Sequence, residues 1–277
     1  MINELILTGI LQGLVLSFVA YGVMIPLRLI NFPDLSSEGA YPLGGAICAT
    51  LIIANISPIL AVILACLSSG IIGIFTALIH IRLKVNTLLA GIILSTMLYS
   101  VNLRLMGKPN IALFEYPILF ADYNVTSKIL ILLSIIAALI IPLALFLRTE
   151  KGLRMRAIGL NPEFSKRQSI SITKYSILGL FIANCYTGLA GSLVVQLQSY
   201  MDIGIGVGIV IHALAALMIG ETIVGNSTLN RQLLAPLVGA LVYQQIQGVA
   251  LTLGLAPSDM KLLTGSIVLI VIALKKR

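Results

Sequence analysis

Asp34 and Glu38 stand between the first two long apolar runs of the chain, in the segment Asn31-Phe32-Pro33-Asp34-Leu35-Ser36-Ser37-Glu38-Gly39. Ser36 or Ser37 can cap a helix that starts here, which would leave backbone N–H groups directed at the break. A half-helix N-terminus of that kind can hold a substrate carboxylate. Asn31, Asp34, Ser36 and Glu38 are therefore candidate pathway residues, and a solvated turn is the equal alternative. Asn184, Gln244 and Gln247 join them as polar side chains inside apolar runs. Gln244, Gln247 and Gly248 share one helical face at i, i+3 and i+4. They can line a pathway, or hydrogen-bond across helices as packing contacts of about 0.6–2 kcal/mol each. Asn102, Arg104 and Gln196 carry the same two readings, and His212 reads best as a packing residue. Glu221 is expected to pair with Arg231 or with an arginine of the 148–174 segment.

These residues do not form a catalytic constellation. The chain has no H-E-x-x-H, no clustered carboxylates and no G-x-x-x-x-G-K-[ST] loop to cradle ATP. Catalytic and metal-ligating residues are thus expected to be none. Cys48, Cys66 and Cys185 lie inside apolar runs and read as isolated, buried thiols.

The elements that must position these groups are membrane helices. Hydrophobic residues make up 58% of the chain and charged residues 10%, far below the roughly 25% charged residues of a soluble domain. The apolar runs are continuous, as spanning helices of about 20 residues require, and lack the alternation of a transmembrane barrel. Nine spans are expected, at 5–27, 39–54, 57–79, 87–105, 129–147, 175–196, 208–222, 233–254 and 261–274. The fold class is all-α, a polytopic transmembrane bundle forming one domain over 1–277. The second, seventh and ninth spans are short, and the long-helix, break, short-helix layout recurs at spans one–two and six–seven. That pattern suggests an inverted repeat. The first run lacks a basic flank and a cleavage site, so it is expected to remain a helix.

The net charge of +8 is a topology signal and gives no reason to expect nucleic acid. With the C-terminus in the cytoplasm, fourteen of the eighteen Lys and Arg residues fall inside, which satisfies the positive-inside rule. The longest inner connection, 148–174, holds seven of these basic residues. Residues 149–157 are expected to form a short helix ended by Gly159. Asn161, Pro162 and Glu163 then supply an N-cap, a first-position proline and an early acid for a second one. Two small helices joined at a glycine would make a rigid knob, and a plain basic loop obeying the positive-inside rule is the alternative. The outer loop 106–128 reads as a docking site for a binding protein or as ordinary solvated loop.

This knob resembles the coupling loop of bacterial ABC-importer permeases, in the branch of the branched-chain amino acid permeases. The resemblance rests on Gly152, Arg156-Ala157, Gly159 and Asn161-Pro162, and on Arg28-Leu29-Ile30-Asn31-Phe32 after the first helix. Phe32-Pro33-Asp34, Glu38-Gly39, Pro42-Leu43-Gly44, Ile219-Gly220-Glu221 and Asp259-Met260-Lys261-Leu262 resemble the subgroup that pairs with lipoprotein binding proteins for tryptophan or tyrosine. The resemblance implies Gly152, Arg154, Arg156, Ala157, Gly159, Asn161, Pro162 and Glu163 as ATPase-coupling residues. It also implies a cytoplasmic ATP-binding subunit that holds ATP and Mg, an external substrate-binding lipoprotein, and a second permease copy, as a homodimer. No cofactor is expected in this chain. The location implied is the bacterial inner membrane. An ion-coupled secondary transporter, with His212, Asp34 or Glu38 as coupling site, is the alternative.

Overall fold

A computed structural model describes residues 2–256 and 259–275. The elements run α1 (Ile2–Met24), a π-helical turn (Ile25–Leu29), α2 (Ser37–Ile53), α3 (Pro58–Leu83), α4 (Thr87–Met106), β1 (Asn110–Ala112), α5 (Val125–Arg148), α6 (Glu150–Leu160) and α7 (Pro162–Arg167). They continue with α8 (Ile172–Gln198), β2 (Tyr200–Asp202), a 3-10 turn (Ile203–Gly206), α9 (Ile209–Val224), α10 (Leu229–Thr252) and α11 (Met260–Lys275). Among the described residues, seven helical segments are long and apolar enough to cross a membrane. Glu4–Leu29 includes the π-helical turn, and Ile203–Val224 includes the 3-10 turn. The helices α2 and α11 are shorter, at 17 and 16 residues. Each of the nine expected spans thus has its helix, and the chain is a polytopic helical membrane protein.

The chain divides into two compact units. One comprises residues 1–20, 122–144 and 210–277, the other 21–121 and 145–209. In the second unit α3 shows how packing works without a hydrophobic drive between helices. Ala61, Ala65, Ser69, Gly73 and Ala77 recur every four residues, and all are buried. A Cβ on Gly73 would collide with the Leu180 carbonyl, and one on Gly188 with Ser69, so α3 and α8 meet nearly backbone to backbone. The opposite stripe of α3 (Ile59, Ile63, Leu67, Ile71 and Phe75) is exposed, as a lipid-facing surface requires. Gly44 of α2 meets the Gly188 backbone in the same close manner.

In the first unit α9 and α10 approach through Gly220 and Gly239, whose missing Cβ atoms leave room for the carbonyls of Ala235 and Ala216. The Tyr243 hydroxyl meets Thr264 Oγ1 at 2.7 Å, linking α10 to α11. The His212 ring lies 5.9 Å from that of Tyr243, a packing contact.

One expectation, that on the thiols, is corrected here, and the 106–128 connection gains a structured part. The 106–128 connection contains β1, which pairs antiparallel with β2 in the register Asn110↔Asp202, Ile111↔Met201 and Ala112↔Tyr200. Further along, the Leu119 N–H donates to Gln196 Oε1 at 2.7 Å. Among the thiols, Cys48 alone is buried, while Cys66 and Cys185 are half-buried and adjacent, Cys66 Sγ donating to the Cys185 carbonyl at 3.3 Å.

Candidate functional site

The connection between α5 and α8 is ordered by its caps. The Thr149 hydroxyl accepts from the Gly152 N–H at 3.4 Å at the start of α6. Asn161 closes α6 and opens α7, its side chain accepting from the Phe164 N–H at 3.0 Å, with Pro162 next in line. Ser171 then caps α8 through the Lys174 N–H. The two short helices are joined at Asn161. Gly159 does not end the first, because α6 runs through it to Leu160. The physical reason is tertiary. A Cβ on Gly159 would overlap the Leu29 carbonyl and crowd Ile30 N, so the glycine is required by a close approach and has no left-handed turn to make.

The underside of α6 is fixed by packing. Gly152 sits on the backbone of Phe146 and Leu147. Met155 and Ile158 are each 1% exposed, and Met155 reaches Gly179 of α8 beside Ile30. The outer side carries the charges and several apolar groups. Arg154 bonds Glu150 at 2.5 Å, and both side chains are exposed. Tyr175 and then Glu150 hold the Arg154 guanidinium protonated beyond its already high range. Arg156 and Ala157 are half-buried, and Asn161, Pro162 and Glu163 are exposed. Leu153, Leu160 and Phe164 are exposed at 53%, 88% and 56%.

The polar break between the π-helical turn and α2 is built differently from the expected serine cap. Neither Ser36 nor Ser37 caps α2 with its side chain. Asp34 does the work: Oδ1 accepts the Ser36 N–H at 2.7 Å and Oδ2 accepts the Ser36 hydroxyl at 2.8 Å. Asn184 of α8 donates to the same Oδ2 at 3.1 Å and to the Leu180 carbonyl at 3.1 Å. The structure therefore brings Asp34, Ser36 and Asn184 into one buried cluster. Three donors meet the carboxylate, the arrangement a buried charge needs.

Asn31 stands apart from that cluster, exposed at φ +50°. Phe32 behind it is buried, with its ring edge-on to His80 at 5.0 Å. Glu38 is half-buried on the first turn of α2. Gln244 and Gln247 belong to the other compact unit. Gln244 Nε2 donates to Gln12 Oε1 at 2.5 Å, and Gln247 Nε2 donates to the Tyr243 hydroxyl at 2.6 Å. These are packing hydrogen bonds within that unit. Glu221 is buried near the end of α9. Among the described residues no group of three or more His, Cys, Asp or Glu could hold a metal.

The family profile described as "Branched-chain amino acid transport system / permease component" matches residues 5–273. The chain belongs to this permease family. One relative is described as "Tyrosine transport system permease protein" of Clostridioides difficile (strain R20291), 36% identical over 97% of this chain and 90% of its own length. An uncharacterized protein of Rickettsia prowazekii (strain Madrid E) is 30% identical over 99% of both chains. A nucleoside ABC transporter permease of Lactococcus lactis subsp. cremoris (strain MG1363) is 28% identical over 52% of this chain and 38% of its own length. No solved structure matches the chain.

In this permease the two most local motifs of the sequence meet in space: Gly159 of the 148–174 loop seats against Leu29 of the Arg28–Phe32 step. Residue-by-residue reading could name both segments but had no signal for their contact. It also missed that Asn102 of α4 is fully buried with both amide atoms lacking a protein partner among the described residues.

Proposed function

We propose that the permease is the membrane subunit of an ATP-driven importer, with α6 and α7 as the element that a cytoplasmic ATPase grips. The observation that carries this reading is the loop's two-sidedness. Its underside is locked by Met155, Ile158 and the Gly159 contact, while Leu153, Leu160 and Phe164 are exposed beside Arg154. A rigid element with exposed apolar anchors and a basic rim suits docking into a protein cleft. Because α6 sits on the π-helical turn and on α8, force on the loop would reach the membrane helices directly. Gly152, Arg156, Ala157, Asn161, Pro162 and Glu163 keep the helix pair in shape or present it.

On this reading ATP and Mg reside on the partner, and two copies of the permease supply two coupling loops to two ATPases. On the same reading the loop and the C-terminus face the cytoplasm of a bacterial cell, the orientation that the basic-residue count favours. An external binding lipoprotein delivers the solute. The tyrosine transport system relative makes an amino acid, and an aromatic one, the solute to test first. The Asp34–Ser36–Asn184 cluster braces the inner break of the pathway. Its satisfied hydrogen bonds favour that bracing role over proton or sodium coupling.

The test is co-purification of the permease with its partner ATPase, before and after residues 156–162 are replaced by a Gly/Ser linker. The importer reading expects the complex to be lost while the permease still inserts. Unchanged association and unchanged ATP-dependent uptake would overturn the coupling role.

A further inference from the structure

A cavity of about 390 Å³ opens between the first turn of α2, the middle of α4 and the Ile203–Gly206 turn. Its volume falls in the range of about 300–1,000 Å³ typical of small-molecule sites. Gly39 lets α4 come close, since a Cβ there would meet Ser95 and Leu98. Gly206 lets the 3-10 turn lie against Glu38 and Pro42.

We propose that this cavity is a solute site, in which Glu38 takes an ammonium group and Asn102 hydrogen-bonds the adjoining polar part of the ligand. The proposal rests on the reading of this chain as a solute permease. Four observations carry it. Asn102 is 0% exposed, and neither its Nδ2 nor its Oδ1 has a protein partner among the described residues. An orphaned buried polar group costs about 1–3 kcal/mol. The buried amides of Asn184 and Gln196, by contrast, are bonded through both their nitrogen and oxygen atoms. Asn102 is the buried amide left without a protein partner among the described residues, and it lines the cavity.

Glu38 is the one charged residue among those lining the cavity. It is half-buried there, on the first turn of α2. With no lysine or arginine opposite, the charge complement is a cation. The hydroxyls nearby point the same way. Ser95 Oγ donates to the Ile92 carbonyl at 2.9 Å, and Thr96 Oγ1 to the Ile92 and Ile93 carbonyls at 3.0 and 2.7 Å. Their protons are committed to their own helix, so toward the cavity they offer lone pairs. A wall of acceptors fits a group with several N–H donors. Tyr99, Pro42 and Val207 complete the lining with apolar surface for the rest of the ligand. A glutamate and an unpaired amide turned to hydrocarbon would be costly, so lipid is a poor occupant.

The experiment uses the full-length chain in lipid nanodiscs and three probes: L-tyrosine, tyramine and 3-(4-hydroxyphenyl)propanoate. They share the phenol ring and differ in the ammonium and carboxylate groups. Tyrosine and tyramine should bind, with the propanoate at least tenfold weaker. Glu38→Gln should weaken tyramine binding and Asn102→Leu should weaken tyrosine binding, each at least tenfold, with the helical spectrum and monodispersity retained. The site is overturned if the propanoate binds as well as tyramine, if no probe binds the unsubstituted chain, or if either folded variant binds its probe within twofold of it. The probe comparison needs no substitution, so it stands even where a variant fails to fold. ATP-dependent uptake by the unsubstituted transporter tests the importer reading separately. Uptake with no ammonium preference overturns the site alone, and tyramine binding without ATP-dependent uptake overturns the importer reading alone.

Discussion

Gly159 of α6 lies against the carbonyl of Leu29, with no room for a single methyl group between them. The contact joins the basic loop to the π-helical turn at the end of the first membrane helix. A Cβ here meets backbone, which cannot rotate away, and overpacking of this kind costs about 1–3 kcal/mol. Gly159→Ala should lower the unfolding midpoint of the purified chain and cut ATP-dependent uptake at least tenfold. A Gly159→Ala chain with the original midpoint and uptake would mean that the loop is not seated where the structure places it.

Asn161 serves as the hinge cap of the helix pair. Removing its side chain as Asn161→Ala should cost about 0.5–2 kcal/mol, the usual loss for an N-cap. The effect should be local. Hydrogen–deuterium exchange should speed up over 162–167 and stay unchanged in α3 and α8. Asn161→Asp keeps the acceptor and should preserve protection. Equal protection in Asn161→Ala and the unsubstituted chain would contradict the capping role.

Asp34 and Asn184 are partners across about 150 positions of sequence, joined by a hydrogen bond of 3.1 Å. A hydrogen bond to a charged group is worth about 1.5–3 kcal/mol. A double-mutant cycle of Asp34→Ala and Asn184→Ala, read by unfolding in detergent, should therefore give a coupling energy of at least about 1 kcal/mol. Additive losses would show that the two side chains act independently.

Gln196 holds the 113–121 segment through the Leu119 N–H and reaches the Pro58 carbonyl at 3.3 Å. Gln196→Leu keeps the bulk and removes both bonds. It should expose 113–121 to limited proteolysis while leaving loop 150–167 protected. Unchanged cleavage of 113–121 would contradict the tethering role.

Features with a local cause were the ones legible in the sequence. The nine apolar runs became helices because span length and hydrophobicity are properties of each run by itself. The Asn161-Pro162 start of α7 was legible because cap and proline act within one turn. Gly159 was misread as a helix end because its reason is Leu29, 130 positions away. Ser36 was misread as the cap because the choice lies with Asp34, whose carboxylate Asn184 holds from α8. The β1–β2 pair of three-residue strands leaves no periodic signal, since its partners are about 90 positions apart.

The most direct measurement is solute uptake into proteoliposomes that hold the permease with its ATPase partner and the binding protein. The importer reading predicts that uptake of labelled tyrosine requires hydrolysable ATP, stops with a non-hydrolysable analogue, and is unaffected when proton and sodium gradients are collapsed. Uptake by the permease alone, driven by either ion gradient and indifferent to ATP, would contradict it.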